Sequence, residues 1–423
     1  MSVSAELIKI KNGFRPSFWV ANVMELFERL AYYGQATILS IFLRDHLKLD
    51  EIQTGTLSSL FGGLIYALPI FAGALADKFG FRKAFTLSFL MLTFGYFAIG
   101  ATGMTTFAPF FQNIGIYKSL TFILIFTAIG GSFIKPSVLG TVALSSTPET
   151  KSLGYAIYYW LVNIGAAIGP LIAYFVRDSF GIEKVYLVSS LSCLLMFIST
   201  LLFYRNPVEK KKENSESLLK ITKDLFVVLS NMRFMVFLLI FSLYWLMFWQ
   251  IFIIIPFYIK DYISVKAPFE IIESVDAWGI ILLQLFVNRM TKNFAAFNAI
   301  TIGFTISALS WAVIFIHPTL PLIIAGLIVF SIGEQTQAPR YYEYIANLAP
   351  KGKEALFQGY AFLPIAIGWG FGGTLGGLLY KVVAKQMHQP QLIFAILFGV
   401  GVVATVLMVA YNAYFKNKKA AAM

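Results

Sequence analysis

Glu25-Leu26-Phe27-Glu28-Arg29 lies inside an apolar run that extends from Phe18 to Leu43. As a helix, that run is long enough to cross a bilayer, which takes about 20 residues. A charge at bilayer depth costs about 3 kcal/mol unless it is paired or hydrated. Three ionisable side chains in five residues therefore need a reason. At helical spacing Glu25, Glu28 and Arg29 stand at i, i+3 and i+4 and share one face. A buried acid–acid–base cluster on a spanning helix suggests a proton or ion pathway; the plainer reading is a structural salt bridge between helices.

Outside this run the chain keeps the same character. It has 423 residues, 58% hydrophobic and 13% charged, with a mean hydropathy of +0.75, 42 Phe and 21 Tyr. That is the composition of a polytopic membrane protein. The first span is too long, and too charged at its centre, for a cleaved signal. Cys193 is the single cysteine, so no intrachain disulfide can form, and it reads as a small core residue. His46, His317 and His388 show no ligand spacing, so neither a metal nor a cofactor is expected. The net charge of +12 raises the question of nucleic acid. The basic residues gather in alternate loops instead, as membrane topology requires, and no nucleic-acid partner is expected.

Apolar periodicity and breakers mark about twelve spans: 17–43, 53–76, 84–104, 119–146, 152–176, 184–203, 234–259, 267–288, 294–316, 319–347, 355–380 and 391–415. The longest polar interruption runs from Arg205 to Arg233 and contains Glu209-Lys210-Lys211-Lys212-Glu213-Asn214. It divides the chain into an N-terminal six-helix bundle (1–204), a linker (205–233) and a C-terminal six-helix bundle (234–423). Leu218 to Leu229 has the pattern of a short amphipathic surface helix. The linker and the loops on its side hold 21 Lys and Arg, and the opposite loops hold nine. Linker and both termini are therefore expected in the cytoplasm of a plasma membrane, the bacterial inner membrane being the natural setting.

The two halves resemble each other. Ile129-Gly130 precedes Pro136 as Ile332-Gly333 precedes Pro339. Pro148 answers Pro350, Gly154-Tyr155-Ala156 answers Gly359-Tyr360-Ala361, and Gly165 answers Gly370, at a nearly constant offset. A six-plus-six duplication is transporter architecture, with the binding site expected where the repeats meet. After the second span comes Gly73-Ala74-Leu75-Ala76-Asp77-Lys78-Phe79-Gly80-Phe81-Arg82-Lys83. Its glycines allow a tight turn and close helix approach, and Asp77 with the bases can form a cytoplasmic charge latch. This stretch closely resembles the signature loop of the major facilitator superfamily. The resemblance implies an all-α membrane protein of twelve transmembrane helices in two six-helix bundles. In it Gly73, Asp77, Gly80, Arg82 and Lys83 would serve gating.

Within the spans the acids are Glu25, Glu28, Asp276 and Glu334, and the bases Arg29 and Lys135. Arg340 and Glu343 lie one turn apart near the cytoplasmic end of span 10, where they are expected to pair. With two more acids than bases at the centre, at least one carboxyl is expected to carry a proton and to couple transport to a proton gradient. Hydration of all four in a water-filled cavity is the alternative. Lys135-Pro136 follows Gly130-Gly131 in a span that these residues loosen. Glu25 or Glu28 is the natural resting partner of Lys135, and protonation or a substrate carboxylate would compete for it. A basic first-half wall and an acidic second-half wall would suit a zwitterion. Tyr32, Tyr33 and Tyr66 could line the N-terminal half, and Asn163 and Gln250, apolar-embedded amides in need of a partner, could complete the substrate pocket.

Several stretches together resemble the proton-dependent oligopeptide transporter (POT/PTR) family. They are Glu25 to Arg29 running into Tyr32-Tyr33-Gly34, Tyr66 with Pro69, and Lys135-Pro136. To these add Tyr158-Tyr159 with Asn163 and Gly165, then Gly333-Glu334 with Pro339, Ala349-Pro350 and Gly359. The resemblance implies proton symport of di- and tripeptides. Glu25, Glu28, Arg29 and Lys135 would act in proton coupling. Asn163 and Glu334 would hold the peptide, Glu334 by its amino end. The chain departs from the family pattern at four places: Ala36 replaces a carboxylate-binding arginine, Trp249 a span 7 acid, and Asp276-Ala277 an Asn-Pro. The linker is also too short for the two extra helices that bacterial members often carry. These changes favour a more cationic or carboxylate-free substrate.

The leading expectation is thus a proton-coupled symporter that imports short peptides or peptide-like solutes, working as a monomer in a lipid bilayer. A proton-linked exporter of cationic or amphipathic compounds is the alternative on the same fold. An enzyme is not expected, since no histidine is central and Cys193 is isolated.

Overall fold

The computed structural model describes residues 13–207, 226–350 and 354–421. Among them, β-type pairing is limited to an isolated bridge between Phe14 and Ser146. Everything else that is regular is helical, and helical stretches answer all twelve apolar spans. They are α1 (Pro16–Ile41), α2 (Glu51–Ala67 and Pro69–Phe79), α3 (Phe81–Ala101) and α4 (Ile116–Ser132 and Ile134–Ser145). Next come α5 (Lys151–Phe180), α6 (Ile182–Leu202), α7 (Met232–Phe248) and α8 (Val275–Thr291). The chain closes with α9 (Ala296–Ile316), α10 (Leu320–Leu348), α11 (Leu363–Leu379) and α12 (Leu392–Ala421). Nine described helices are long and apolar enough to cross a bilayer, ten if the two parts of α2 count as one. α8 is short, at 17 residues. α1 is long enough, but every bilayer-length stretch of it contains Glu25, Glu28 and Arg29. The chain is a multi-pass helical membrane protein.

The breaks follow from local chemistry. Pro69 has no N–H to give and separates the two parts of α2, which bend by 44°. α4 breaks at Phe133, between the Gly130-Gly131 pair and Pro136, where the sequence predicts loosening. Gly80 joins α2 to α3 with φ +90°, and Gly181 joins α5 to α6 with φ +104°. Both are left-handed conformations that only glycine adopts without strain. At the start of α7 the Asn231 side chain accepts the Phe234 N–H at 3.0 Å and caps the helix.

The contacts divide the chain into two compact units, Met1–Phe42 with Ala67–Ile221 and Leu43–Tyr66 with Thr222–Met423. These do not coincide with the two halves of the sequence, because residues 43–66 sort with the second. The cause is a stripe of small residues. A Cβ on Gly55 would meet the Gly373 carbonyl oxygen at 2.1 Å, and one on Gly62 would meet the Trp369 ring at 1.7 Å. Ser59 Oγ donates to the Trp369 carbonyl at 3.1 Å and accepts the Thr374 N–H at 2.8 Å. Backbones this close gain packing and polar contacts without any hydrophobic drive between helices.

In the first unit α1 packs on α5 and α3 on α6; in the second α10 and α12 pack on α9, and α11 on α7. The apolar stretch within Met232–Ile263 is 78% buried, against 33% for that within Leu392–Phe415. The charged centre of the linker and most of the surface helix expected over Leu218 to Leu229 lie outside the described residues. So do Lys9, Lys11, Lys351 and Lys353.

Candidate functional sites in the two units

Glu25, Glu28 and Arg29 are 0%, 1% and 3% exposed, at the core of the first unit. Arg29 Nε donates to Glu28 Oε2 at 2.5 Å, Arg29 Nη2 also contacts that oxygen, and Arg29 Nε lies 3.4 Å from Glu25 Oε1. One guanidinium thus serves two carboxylates, and its face lies over the Tyr32 ring at 4.7 Å. α5 makes room for this helix. A Cβ on Gly165 would fall 2.4 Å from Arg29 Cβ, and one on Gly169 would fall 2.8 Å from the Leu30 carbonyl oxygen. Lys135, just beyond the α4 break, is near enough to Glu28 to act on it electrostatically, so the direct partner of Glu28 is Arg29. Sequence reading missed Tyr96 on α3, a fully buried phenol whose nearest charges include Glu28 and Arg29. Cys193 is a buried free thiol as expected, but it stands beside the same cluster. Apolar flanks hid both residues from a motif search. Tyr33 meets Tyr32 edge-on at 5.2 Å, and Asn163 Nδ2 donates to the Tyr159 carbonyl of its own helix at 2.8 Å.

In the second unit, α8 crosses α10 at Gly279, where a Cβ would meet Ser331 Oγ at 2.3 Å. Gln335 Nε2 donates to the Gly279 carbonyl at 3.2 Å and to Ser331 O at 3.0 Å. Asp276 lies one turn before Gly279, and Glu334 one residue before Gln335. The two carboxyls act on one another electrostatically, and Tyr244 of α7 feels both. Asp276 is 7% exposed and Glu334 half-buried.

Tyr66 corrects an expectation. It does not line the N-terminal half: its ring lies 6.2 Å from Trp249, 6.0 Å from Trp369 and 6.4 Å from Phe362, all in the second unit. The α2–α11 glycine contacts carry it there. Trp249, standing where the family pattern has an acid, stacks on Trp369 at 3.4 Å. Gln250 finds its partners in backbone, donating to Leu246 O and Gly372 O at 2.9 Å each, a contact that the glycines of α11 permit.

Gly73 of the signature loop approaches Pro136, a Cβ there falling 3.3 Å from the ring. The Arg82 N–H donates to Asn206 Oδ1 at 2.9 Å, and its guanidinium donates to the Leu201 carbonyl at 2.6 Å. The loop is thereby fastened to the end of α6, with Asp77 and Lys83 on its exposed side. Arg340 pairs with Glu343 at 2.7 Å as expected. Elsewhere lies a network that the sequence did not disclose. Asp261 receives Arg44 through two nitrogens at 2.9 and 3.1 Å, Lys385 at 2.7 Å and the Tyr380 hydroxyl at 2.8 Å. Arg44 and Lys260 also hold Asp45, at 2.6 and 2.7 Å. The partners of Asp261 are more than 100 residues away from it in sequence, and no local spacing announces them. Among the described residues no group of three or more His, Cys, Asp or Glu could hold a metal.

Comparison with known proteins agrees with this arrangement. The profile of the Major Facilitator Superfamily matches residues 23–266 and 266–421. The dipeptide and tripeptide permease A of Erwinia pyrifoliae is 26% identical over 197 residues, 45% of this chain and 38% of that protein. The dipeptide and tripeptide permease B of Photorhabdus asymbiotica is 25% identical over 225 residues, 52% of this chain and 43% of that protein. The matches thus span less than half the length of these curated relatives. Among solved structures, a POT family transporter in complex with 5-aminolevulinic acid superposes with a TM-score of 0.76 at 18% identity, over 94% of this chain and 96% of that one. A POT family transporter in complex with a thioalcohol conjugated peptide gives 0.76 at 18%, over 95% and 96%. The chain belongs to the Major Facilitator Superfamily. The curated relatives it matches are permeases by name, and the solved neighbours are transporters.

Proposed function

We propose that this chain is a proton-coupled secondary transporter that imports di- or tripeptides, or peptide-like small solutes, by alternating access. The observation that carries this reading is the buried Glu25–Glu28–Arg29 cluster with Lys135 in reach of Glu28. A carboxylate held by a guanidinium inside a membrane protein is a group whose protonation redistributes its partners. Protonation of Glu28 would release Arg29 toward Glu25 and leave Lys135 to a substrate carboxylate. Tyr32, Tyr33 and Asn163 would add polar contacts from the first unit. In the second, Glu334 and Asp276 would take the amino end, and Tyr66 would face the ligand from its aromatic cluster. Gln250 would support α11, given its backbone partners. The loop with Gly73, Asp77, Gly80, Arg82 and Lys83 would gate the cytoplasmic side. The energy source would be the proton gradient, with no cofactor, and the protein would work as a monomer with both termini in the cytoplasm of the inner membrane. The names of the relatives and the ligands of the neighbouring structures support the peptide-like class.

A second reading, a proton-linked exporter of cationic or amphipathic compounds, is favoured by the two acids at the α8–α10 crossing and by Trp249 in place of a helix 7 acid. Uptake into proteoliposomes under an imposed pH gradient, with dipeptides against cationic amines, tests both. Dipeptide accumulation driven by an inward proton gradient supports import. Flux indifferent to the gradient refutes both.

A further inference from the structure

The six spans of the second half contain Glu270, Glu273, Asp276 and Glu334 but no Lys, Arg or His, apart from Arg340 at the cytoplasmic end of α10. Arg340 is taken by Glu343. Arg289 stands in the last turn of α8, away from Asp276 in its first turn, and the charge that acts on Asp276 is that of Glu334. Among the neighbouring elements the base on α7 is Arg233, in its first turn against the Phe415 ring at 5.4 Å. α9 has no ionisable side chain, α7 offers the Tyr244 phenol, and the turn Phe269–Glu273 before α8 brings two more acids. Side chains on a helix lean toward its N-terminus. Glu334 therefore leans back along α10 toward the level of Asp276. Asp276 Oδ1, Glu334 Oε2 and Gln335 Oε1 have no hydrogen-bond partner among the described residues. The Gln335 donor side is already occupied by Gly279 O and Ser331 O. The crossing thus presents acceptor oxygens and lacks a donor to fill them.

We propose that Asp276 and Glu334 share one proton when the site is empty, and that an ammonium group entering the site displaces it. Two like charges side by side in a low-dielectric interior cannot both persist without a counter-charge. The empty pair with its proton carries one negative charge. Binding one R–NH3+ and releasing one H+ leaves two carboxylates and one ammonium, again one negative charge, so the exchange is electrically neutral. An ammonium also supplies the donors that the acceptor oxygens lack. The empty carrier then returns with a proton, so this pair exchanges ammonium for proton. It subtracts one proton from whatever the α1 cluster carries inward. The inference rests on the amine-binding part of the proposed function and fixes the substrate class as amine-bearing.

The test uses the purified full chain and has two arms. Calorimetric titration with alanyl-alanine amide, in buffers of different ionisation enthalpy, counts protons released on binding. About one proton per ligand is expected for the wild type and close to none for Asp276→Asn. Equal release by both proteins, or binding without release by the wild type, overturns the proposal. Infrared spectroscopy of the ligand-free protein at neutral pH reads the C=O stretch of a protonated carboxyl, and Asp276→Asn should lose that band. An unchanged band overturns the proposal, and this arm needs no ligand. Absence of peptide binding with the band present and lost in Asp276→Asn would therefore refute the peptide reading and leave the shared proton standing.

Discussion

Glu28→Gln separates coupling from folding. In the wild type Arg29 is held by Glu28 at 2.5 Å and by Glu25 at 3.4 Å, all three side chains being buried. A glutamine at 28 keeps the shape and one acceptor oxygen for Arg29, and Glu25 still balances the guanidinium. The loss is one charge-assisted hydrogen bond, about 1.5–3 kcal/mol at most and less where the amide oxygen still accepts. Arg29→Ala is the contrasting case. It leaves two buried carboxylates without their guanidinium and should cost about 3–5 kcal/mol. Glu28→Gln should therefore fold, insert and exchange substrate in counterflow at a rate near wild type. Gradient-driven accumulation should fail. One proton carried per substrate is worth about 1.4 kcal/mol for each pH unit, or about tenfold accumulation. The assay is paired counterflow and pH-driven uptake in the same proteoliposomes. Wild-type accumulation by Glu28→Gln would remove Glu28 from the coupling role, whatever its effect on stability.

Four further outcomes follow from the geometry. Glu334→Gln should weaken peptides with a free amino end more than N-acetylated ones, measured by competition for uptake; equal weakening argues against an amine contact at Glu334. Asp261→Asn should lower stability by about 3 kcal/mol, because it deprives Arg44, Lys385 and Tyr380 of one shared anion, whereas Lys385→Ala, at a half-exposed lysine, should cost under about 1 kcal/mol; thermal unfolding compares them. Burial works to raise the Asp45 carboxyl, but the hydrogen bonds and charges of Arg44 and Lys260 outweigh it and hold the group below its ordinary value of 3.8. Its contribution to stability is thus complete above that value and lost as pH falls through the lowered one, and Asp45→Asn should flatten the acid limb of a pH-stability curve. Gly55→Ala should destabilise strongly, since its Cβ would sit 2.1 Å from a backbone oxygen, whereas Gly359→Ala, with nothing within 4 Å, should be neutral.

A single reading of spacing and hydropathy reached the helical membrane class, a helical stretch for each apolar span and the Glu25–Glu28–Arg29 cluster. Each is a local property: apolar length determines insertion, and i, i+3, i+4 spacing determines a shared helix face. The α2 and α4 breaks were legible for the same reason, since proline and paired glycines act on their own backbone. By its place in the sequence Tyr66 belongs to the N-terminal half. Contacts from Gly55 and Gly62 to residues more than 300 positions away decide its place, and a glycine's sequence neighbours do not say which helix will meet it. The Asp261 network was invisible on the same ground: Arg44, Asp261 and Lys385 are each unremarkable at a helix end until the fold brings them to one carboxylate. Sequence alone thus determined that the chain is a multi-pass membrane protein and which charges fall inside its apolar spans, because both follow from the free energy of placing each residue in lipid. Tertiary structure alone decided which charges meet and which acids lack a base, because a counter-ion is chosen by position in space.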